Sequence, residues 1–491
     1  MSFRRRFVRP ALAFGATALL VLTAIGVFKA TQDSVASRGE DSTGSGSCSS
    51  KQDSARITWG PIGSLKVVGG SGSPEGDLGI PAVAFDCVVG TVALWPNRGD
   101  IEVKIKPPGK TWEKAHLISD GQTAQYAEAP MVATDGAGTV TAAWVRSRGK
   151  YELVTATRSP TGKWTEPTVL WKATWFPNAE SPPLRDPHLA VGPDGSAAIS
   201  WTEDSLTNPN DEDSFFTQAH AAYRPAGGQW QKQVRLTQRS ATPHQLGSEA
   251  GEVGIDNRGV ATVLVGDGRG TRAFRNEGRT WRKQEFIVRG GPTDMVIAPD
   301  GTTSFVYIVH HNTWNEVRVM SREKGVWTKS KRLAPPHPPR TKEDFIYFDN
   351  PQLAVHSGTI SVLLNSWNGP VQGFTRPPGG EYRALPHIAE TRQKPEQVQM
   401  VDVWGNKAGQ ALAIWGPYGE GDGGWLPYGS YRETANGPWR DPVMLSDGKA
   451  TTQDLFLPWS GVTAVVYPNG SALVLWSDGH RVFTRSLGET E

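Results

Sequence analysis

The chain has 491 residues, 51 basic against 49 acidic, and a formal net charge of +2. So even a balance argues against a nucleic-acid binder, which concentrates basic charge on one surface. The 55 glycines, 36 prolines and 19 tryptophans suit an all-β protein with many turns.

The chain opens on MSFRRRFVRP followed by the uncharged run ALAFGATALLVLTAIGVF. Positive charge ahead of an apolar stretch marks an export signal or a membrane anchor. Arg4-Arg5-Arg6-Phe7-Val8-Arg9 resembles the twin-arginine export signal, with Phe3 where Ser or Thr is usual. Ser34-Val35-Ala36 offers a small-x-small cleavage site. If uncut, the apolar run is long enough to span a bilayer with its basic end inside. Residues 1–30 are therefore expected to be a signal peptide or transmembrane anchor. Residues 31–54, which end in SRGEDSTGSGSCSSKQDS, form a flexible tether by composition. Either way the bulk of the chain is exported, to the extracellular side or to the outer surface of the membrane. The only cysteines are Cys48 and Cys87. In an oxidising compartment they pair and tie the tether to the first repeat. Two free thiols, or Cys48 linking two chains, are the alternatives.

Residues 55–491 repeat one pattern. In EAPMVATDGAGTVTAAWVRSRGKYELVTATRSPTGKWTEPTVL, from Glu128 to Leu170, four β-type runs are separated by turn compositions such as Asp135-Gly136-Ala137-Gly138. Related wording begins at PAVAFDCVVGTVALW, DPHLAVGPDGSAAISW, GEVGIDNRGVATVLV, DMVIAPDGTTSFVYIV, NPQLAVHSGTISVLL, MVDVWGNKAGQALAIW and GVTAVVYPNGSALVLW. The last copy stops before its closing strand. Ile57-Thr58-Trp59-Gly60-Pro61 with SLKVV supplies that strand from the other end of the region. The pattern predicts an all-β fold, a β-propeller of eight four-stranded blades, closed by an N-terminal strand that completes the last blade. Trp112, Trp164, Trp230, Trp281, Trp327, Tyr382 and Trp439 share one position after a glycine turn. A second set, Trp95, Trp144, Trp201, Trp367, Trp415 and Trp476, ends or follows the second strand. Both are expected to pack between sheets.

PPGKTW and NEGRTW resemble the Asp-box turn of sialidase-like propellers, Ser-x-Asp-x-Gly-x-Thr-Trp. Both fall in the third-to-fourth connection, where that family carries the box. Pro107 and Asn276 stand where the box has its Asp. The resemblance implies the fold. True sialidases also carry an arginine triad and a Tyr–Glu nucleophile pair, for which no residues are assigned here.

Short turns join first to second and third to fourth strands, which places the long connections together on the opposite face, where binding and catalysis usually reside. Carboxylates gather where each chain enters its innermost strand: Glu128, Asp186, Glu249, Asp294, Asp349 and Glu396. Solvated strand caps, ligand contacts and paired acid–base carboxylates are the readings open to them. Asp186, Asp349 and Glu128 are the catalytic candidates. Asp294, Glu249 and Glu396, with Trp175, Trp425 and Tyr428 from the long loops, are ligand-binding candidates. Asp204, Asp211 and Asp213 form an acidic loop that would suit calcium, though without the ordered spacing of a known calcium loop; no other cofactor is expected. Nucleophile-elbow, phosphate-loop, zinc-protease and dinucleotide motifs are absent from the sequence. The function expected is an exported, non-catalytic recognition module that binds glycan or an extracellular protein. The alternative is a sialidase-like glycosidase or a polysaccharide lyase using rim carboxylates.

Overall fold

The computed structural model describes residues 58–67, 80–97, 99–119, 126–173, 183–206, 215–237, 249–267, 269–278, 280–298, 300–311, 314–334, 348–356, 358–366, 371–386, 388, 398–417, 427–446, 462–477 and 481–488. The apolar N-terminal run and the tether lie outside them. No described helix is long and apolar enough to cross a membrane. The described residues form eight antiparallel sheets and no helix. Blade 1 runs Ala82–Asp86, Gly90–Asn97, Asp100–Lys106 and His116–Leu117. Blade 2 runs Tyr126–Thr134, Val140–Ser147, Tyr151–Arg158 and Thr168–Ala173. The same order continues round to blade 8, whose own strands are Val462–Val466, Ala472–Ser477 and Arg481–Leu487. Innermost strands of successive blades touch, and those of blades 1 and 8 touch too, so the ring is closed.

The N-terminal strand Trp59–Val67 completes blade 8 as expected, pairing antiparallel with Arg481–Leu487 from Trp59↔Leu487 to Val67↔Arg481. Joining the two ends of the ring through one sheet covers the outer edge of Arg481–Leu487 with the N-terminal strand, which becomes the outermost strand of blade 8. Only blade 5 departs from four strands, because its outer segment is broken into Val326–Trp327 and Lys331–Ala334.

Alternating residues of each sheet face the two neighbouring sheets. Eight apolar clusters result, and each receives one aromatic of the repeated outer position. Trp112, Trp164, Trp230, Trp281, Trp327, Tyr382 and Trp439 fill seven of them, and Trp59 fills the eighth. The closing strand thus also supplies the missing outer aromatic. Trp95, Trp144, Trp201, Trp415 and Trp476 are buried in the second strands; Trp367 lies outside the described residues. An arginine six or seven residues before the outer aromatic lies over the ring in blades 3, 6 and 7, as with Arg224 on Trp230 at 5.5 Å and Arg432 on Trp439 at 4.9 Å.

Turns on the short-loop face are capped by side chains. Asp135 Oδ1 accepts from the N–H groups of Ala137 (2.8 Å) and Thr139 (2.9 Å), and Asp256 Oδ1 repeats this with Arg258 and Val260. Tyr223 and Tyr431 donate across blades to the turn carbonyls of Gly259 (2.8 Å) and Gly470 (2.7 Å). Cys87, half-buried in the first turn of blade 1, is in a disulfide. Cys48 lies outside the described residues.

Candidate functional site

On the long-loop face, every innermost strand of blades 2 to 7 begins with a β-bulge, seen as a register shift against the second strand. A bulge adds one residue and re-aims the side chains ahead of it. In blades 2 and 3 the bulged residue is Ala129 and Asp186, each before a proline and each with positive φ, 50° and 49°. Glu128 and Asp186, which look equivalent in the sequence, are therefore one position apart. The counterpart of Glu128 is Arg185 in blade 3 and Asp349 in blade 6.

The bulge in blade 3 concentrates ionisable groups. Leu184–Val191 and the second strand Ala197–Leu206 place Arg185 beside Asp204, to which Arg185 donates through both Nε and Nη2, the latter at 3.2 Å. Arg185 Nη1 lies 3.6 Å from Asp186 Oδ2, so the guanidinium stands between two carboxylates. The side chain of Asp204 is 3% exposed and that of Asp186 is 17% exposed. Burial pushes the Asp204 carboxyl above its ordinary range; Arg185 opposes this, and the charges of Asp186 and Glu203 add to it. Asp204, read in the sequence as part of an acidic loop, is thus a buried strand residue engaged by an arginine.

On the other side of the same strand, His220 Nε2 meets Glu203 Oε2 at 2.8 Å, Ser205 donates to Glu203 Oε1 at 3.0 Å, and the His220 ring stacks on Trp201. Burial would raise the Glu203 carboxyl, but His220, with Ser205 and Trp171, holds it below its ordinary value. Two residues past the bulge, His188 Nδ1 lies 3.0 Å from Glu252 Oε1 of blade 4. Burial alone would lower the His188 pKa, yet Glu252, aided by Asp186 and Asp294, raises it overall. Glu252 Oε2 is buried with no hydrogen-bond partner among the described residues.

Asp294 occupies the position of His188 in blade 5 and is 1% exposed. It accepts from the N–H of Met295 at 2.7 Å and from that of Leu353 in blade 6 at 2.6 Å. These are backbone groups of innermost strands, which have a neighbouring strand on one side only. Asp294 therefore joins two blades. Asp402, in the same position of blade 7, accepts from Val403 N at 2.7 Å.

Glu128 is half-buried, and its charge, after burial, pushes the Tyr151 hydroxyl up to about 12. Tyr428 packs against the blade 7 cluster rather than lying in a loop. Glu249 and Asp349 are placed by backbone pairing alone, with Gly266 and Asn365. Glu396, Trp175, Trp425, Asp211 and Asp213 lie outside the described residues. Among the described residues no group of three or more His, Cys, Asp or Glu is arranged to hold a metal ion. Sequence reasoning missed Arg185, His188 and Glu252 as a set. The signal available was one column of the repeat, the residue before LAV, VGI or MVI, which turns polar in blades 3 to 7.

No protein-family model and no curated protein matches the chain. Among solved structures it is similar to the BP39L lectin from Burkholderia pseudomallei, at 12% identity, covering 75% of this chain and 99% of that one with a TM-score of 0.44. A protein of unknown function from Dyadobacter fermentans aligns at 14% identity over 74% and 94% of the two chains, with a TM-score of 0.41. An ulvan lyase of a polysaccharide lyase family aligns at 12% identity over 71% and 89%, with a TM-score of 0.40. Likeness at this level assigns this chain no ligand.

Proposed function

We propose that this protein is an exported recognition module that binds glycan through the long-loop face, with the mouth of blade 3 as its polar contact. The observation carrying this reading is the Arg185 guanidinium held between buried Asp204 and accessible Asp186. A guanidinium fixed by a buried carboxylate loses little freedom on binding, and Asp186 beside it offers acceptors to vicinal hydroxyls. The bulge that presents Asp186 is architectural, since Ala129 adopts it too; the chemistry lies in the side chains placed on it. The N-terminal segment supports export, and a Cys48–Cys87 bridge would fix the tether to blade 1.

The test uses the full-length chain on an immobilised glycan panel, with and without calcium. Asp186→Ala is expected to weaken retention about tenfold, the equivalent of roughly one charge-assisted hydrogen bond. Retention unchanged in Asp186→Ala sinks the reading. A second reading, glycoside hydrolysis or elimination, draws on the opposed environments of Asp204 and Asp186, one carboxyl buried and shifted upward, the other accessible. Glycan cleavage that disappears in Asp204→Asn would favour it over binding alone.

A further inference from the structure

The joint between blades 6 and 7, on the short-loop face, contains a buried cation that no described carboxylate offsets. Arg432 ends the third strand of blade 7, Tyr428–Arg432, and is 0% exposed. Its Nη2 donates to Ser361 Oγ at 2.7 Å and contacts His356 Nε2 at 2.6 Å, and its guanidinium lies over the Trp439 ring. Because guanidinium nitrogens only donate, His356 Nε2 must accept and the ring must be neutral. Burial, and then the Arg432 charge, depress the His356 pKa to about 3. Arg432 Nε and Nη1 are buried with no hydrogen-bond partner among the described residues.

The equivalent joint between blades 2 and 3 shows what is different. Arg224 pairs with Ala197 as Arg432 pairs with Ala411, and it reaches Thr141 Oγ1 at 2.9 Å as Arg432 reaches Ser361. There the residue two beyond Ala133 is Asp135, whose charge favours the Arg224 cation. In blade 6 the residue two beyond Ala354 is His356. Arg376 at the joint of blades 5 and 6 is likewise offset, by Glu323. Only burial acts on Arg432. A buried charge left without an opposite one is strongly unfavourable, and the unpartnered Nε–H and Nη1–H are two donors directed from one planar group.

We propose that Arg432 holds a small monovalent anion, chloride in the first instance, between blades 6 and 7, where the joints of blades 2–3 and 5–6 use a carboxylate. Ser361, His356 and Trp439 enclose the guanidinium, so a compact ion is selected over an organic acid. This site is on the face opposite the blade 3 mouth and is independent of the glycan reading.

The test is thermal unfolding of the full-length chain, followed by tryptophan fluorescence at constant ionic strength, with gluconate replacing chloride stepwise. The native midpoint is expected to rise with chloride. His356→Asp, which restores the acid found in blade 2, is expected to unfold at a midpoint independent of chloride. Crystals soaked in bromide should show an anomalous peak beside Arg432 Nε and Nη1. A native midpoint indifferent to chloride with no bromide at Arg432 overturns the proposal. So does a chloride dependence that persists unchanged in His356→Asp.

Discussion

Blades 2 and 3 share a bulge, a proline and a positive-φ residue at the mouth of the channel, yet they carry inverted charge. Blade 2 has Glu128 on its innermost strand, and Arg146 on its second strand is neutralised by Glu152 at 2.8 Å. Blade 3 has Arg185 on the innermost strand and the acids Glu203 and Asp204 on the second. Blade 2 buries its arginine in a closed network that includes Lys172, 2.6 Å from Glu152. Blade 3 instead leaves Asp186 accessible next to a cation. The backbone device is thus common property of the ring, and a site arises where the side chains on it fail to neutralise one another completely.

The largest effect that would sharpen this contrast is Arg185→Ala. It strands Asp204, 3% exposed, without its cation, and breaking a buried pair from one side costs about 3–5 kcal/mol. Glu128→Ala, at the same register in blade 2, removes a half-buried charge and should cost about 1 kcal/mol or less. Urea unfolding of both variants measures the difference. Equal losses would mean that the two mouths are energetically alike and that the Arg185 cluster is not distinctive.

A smaller effect separates joining from binding among the channel carboxylates. Asp294→Ala leaves the N–H groups of Met295 and Leu353 without their acceptor, at about 2–4 kcal/mol for two buried donors. Asp294→Asn keeps one oxygen acceptor and should recover roughly half of that. Glycan retention should be untouched in Asp294→Asn, in contrast to Asp186→Ala. A loss of retention without a loss of stability would move Asp294 from the joint into the ligand site.

The ring itself was legible because glycine turns and the outer aromatic recur with the blade, and a vacancy at one end matched an orphan strand at the other. Gly90 shows why such turns hold their residue. Its φ is +92°, and a Cβ there would meet Lys106 O at 2.0 Å. The mouth was less legible. One inserted residue per bulge shifts the register of everything before it, so Asp186 and Glu128 looked like one column although they are not. Asp294 was picked out for its charge, but its job depends on an unpaired strand edge that only the assembled ring creates. His188 and Glu252 sit inside what reads as an apolar strand, and their meaning comes from a partner one blade away. Arg432 was invisible for the same reason, since its want of a counter-charge depends on His356 in the neighbouring blade.

The smallest effect concerns pH and the link between blades 3 and 4. His188 has a folded pKa raised above its ordinary 6.5, chiefly by Glu252 working against burial, with Asp186 and Asp294 contributing charge. A raised pKa means that the folded state binds the proton more tightly than the unfolded state. The stability it contributes is complete below 6.5 and is lost as pH rises through the folded value. Glu203 behaves oppositely. Its lowered pKa contributes stability above 4.5 that is lost as pH falls through the folded value, so the two titrations lie on different sides of the profile. Urea midpoints for the native chain should therefore decline as pH rises above 6.5, and His188→Gln should remove part of that decline while leaving the acid limb unchanged. An identical alkaline slope in the two proteins would show that the His188–Glu252 contact carries no proton-linked energy. The mouth of blade 3 would then be joined to blade 4 by packing and by its uncharged hydrogen bonds, Ser200 Oγ to Gly251 O at 2.9 Å and Ala250 N to Thr202 Oγ1 at 3.0 Å.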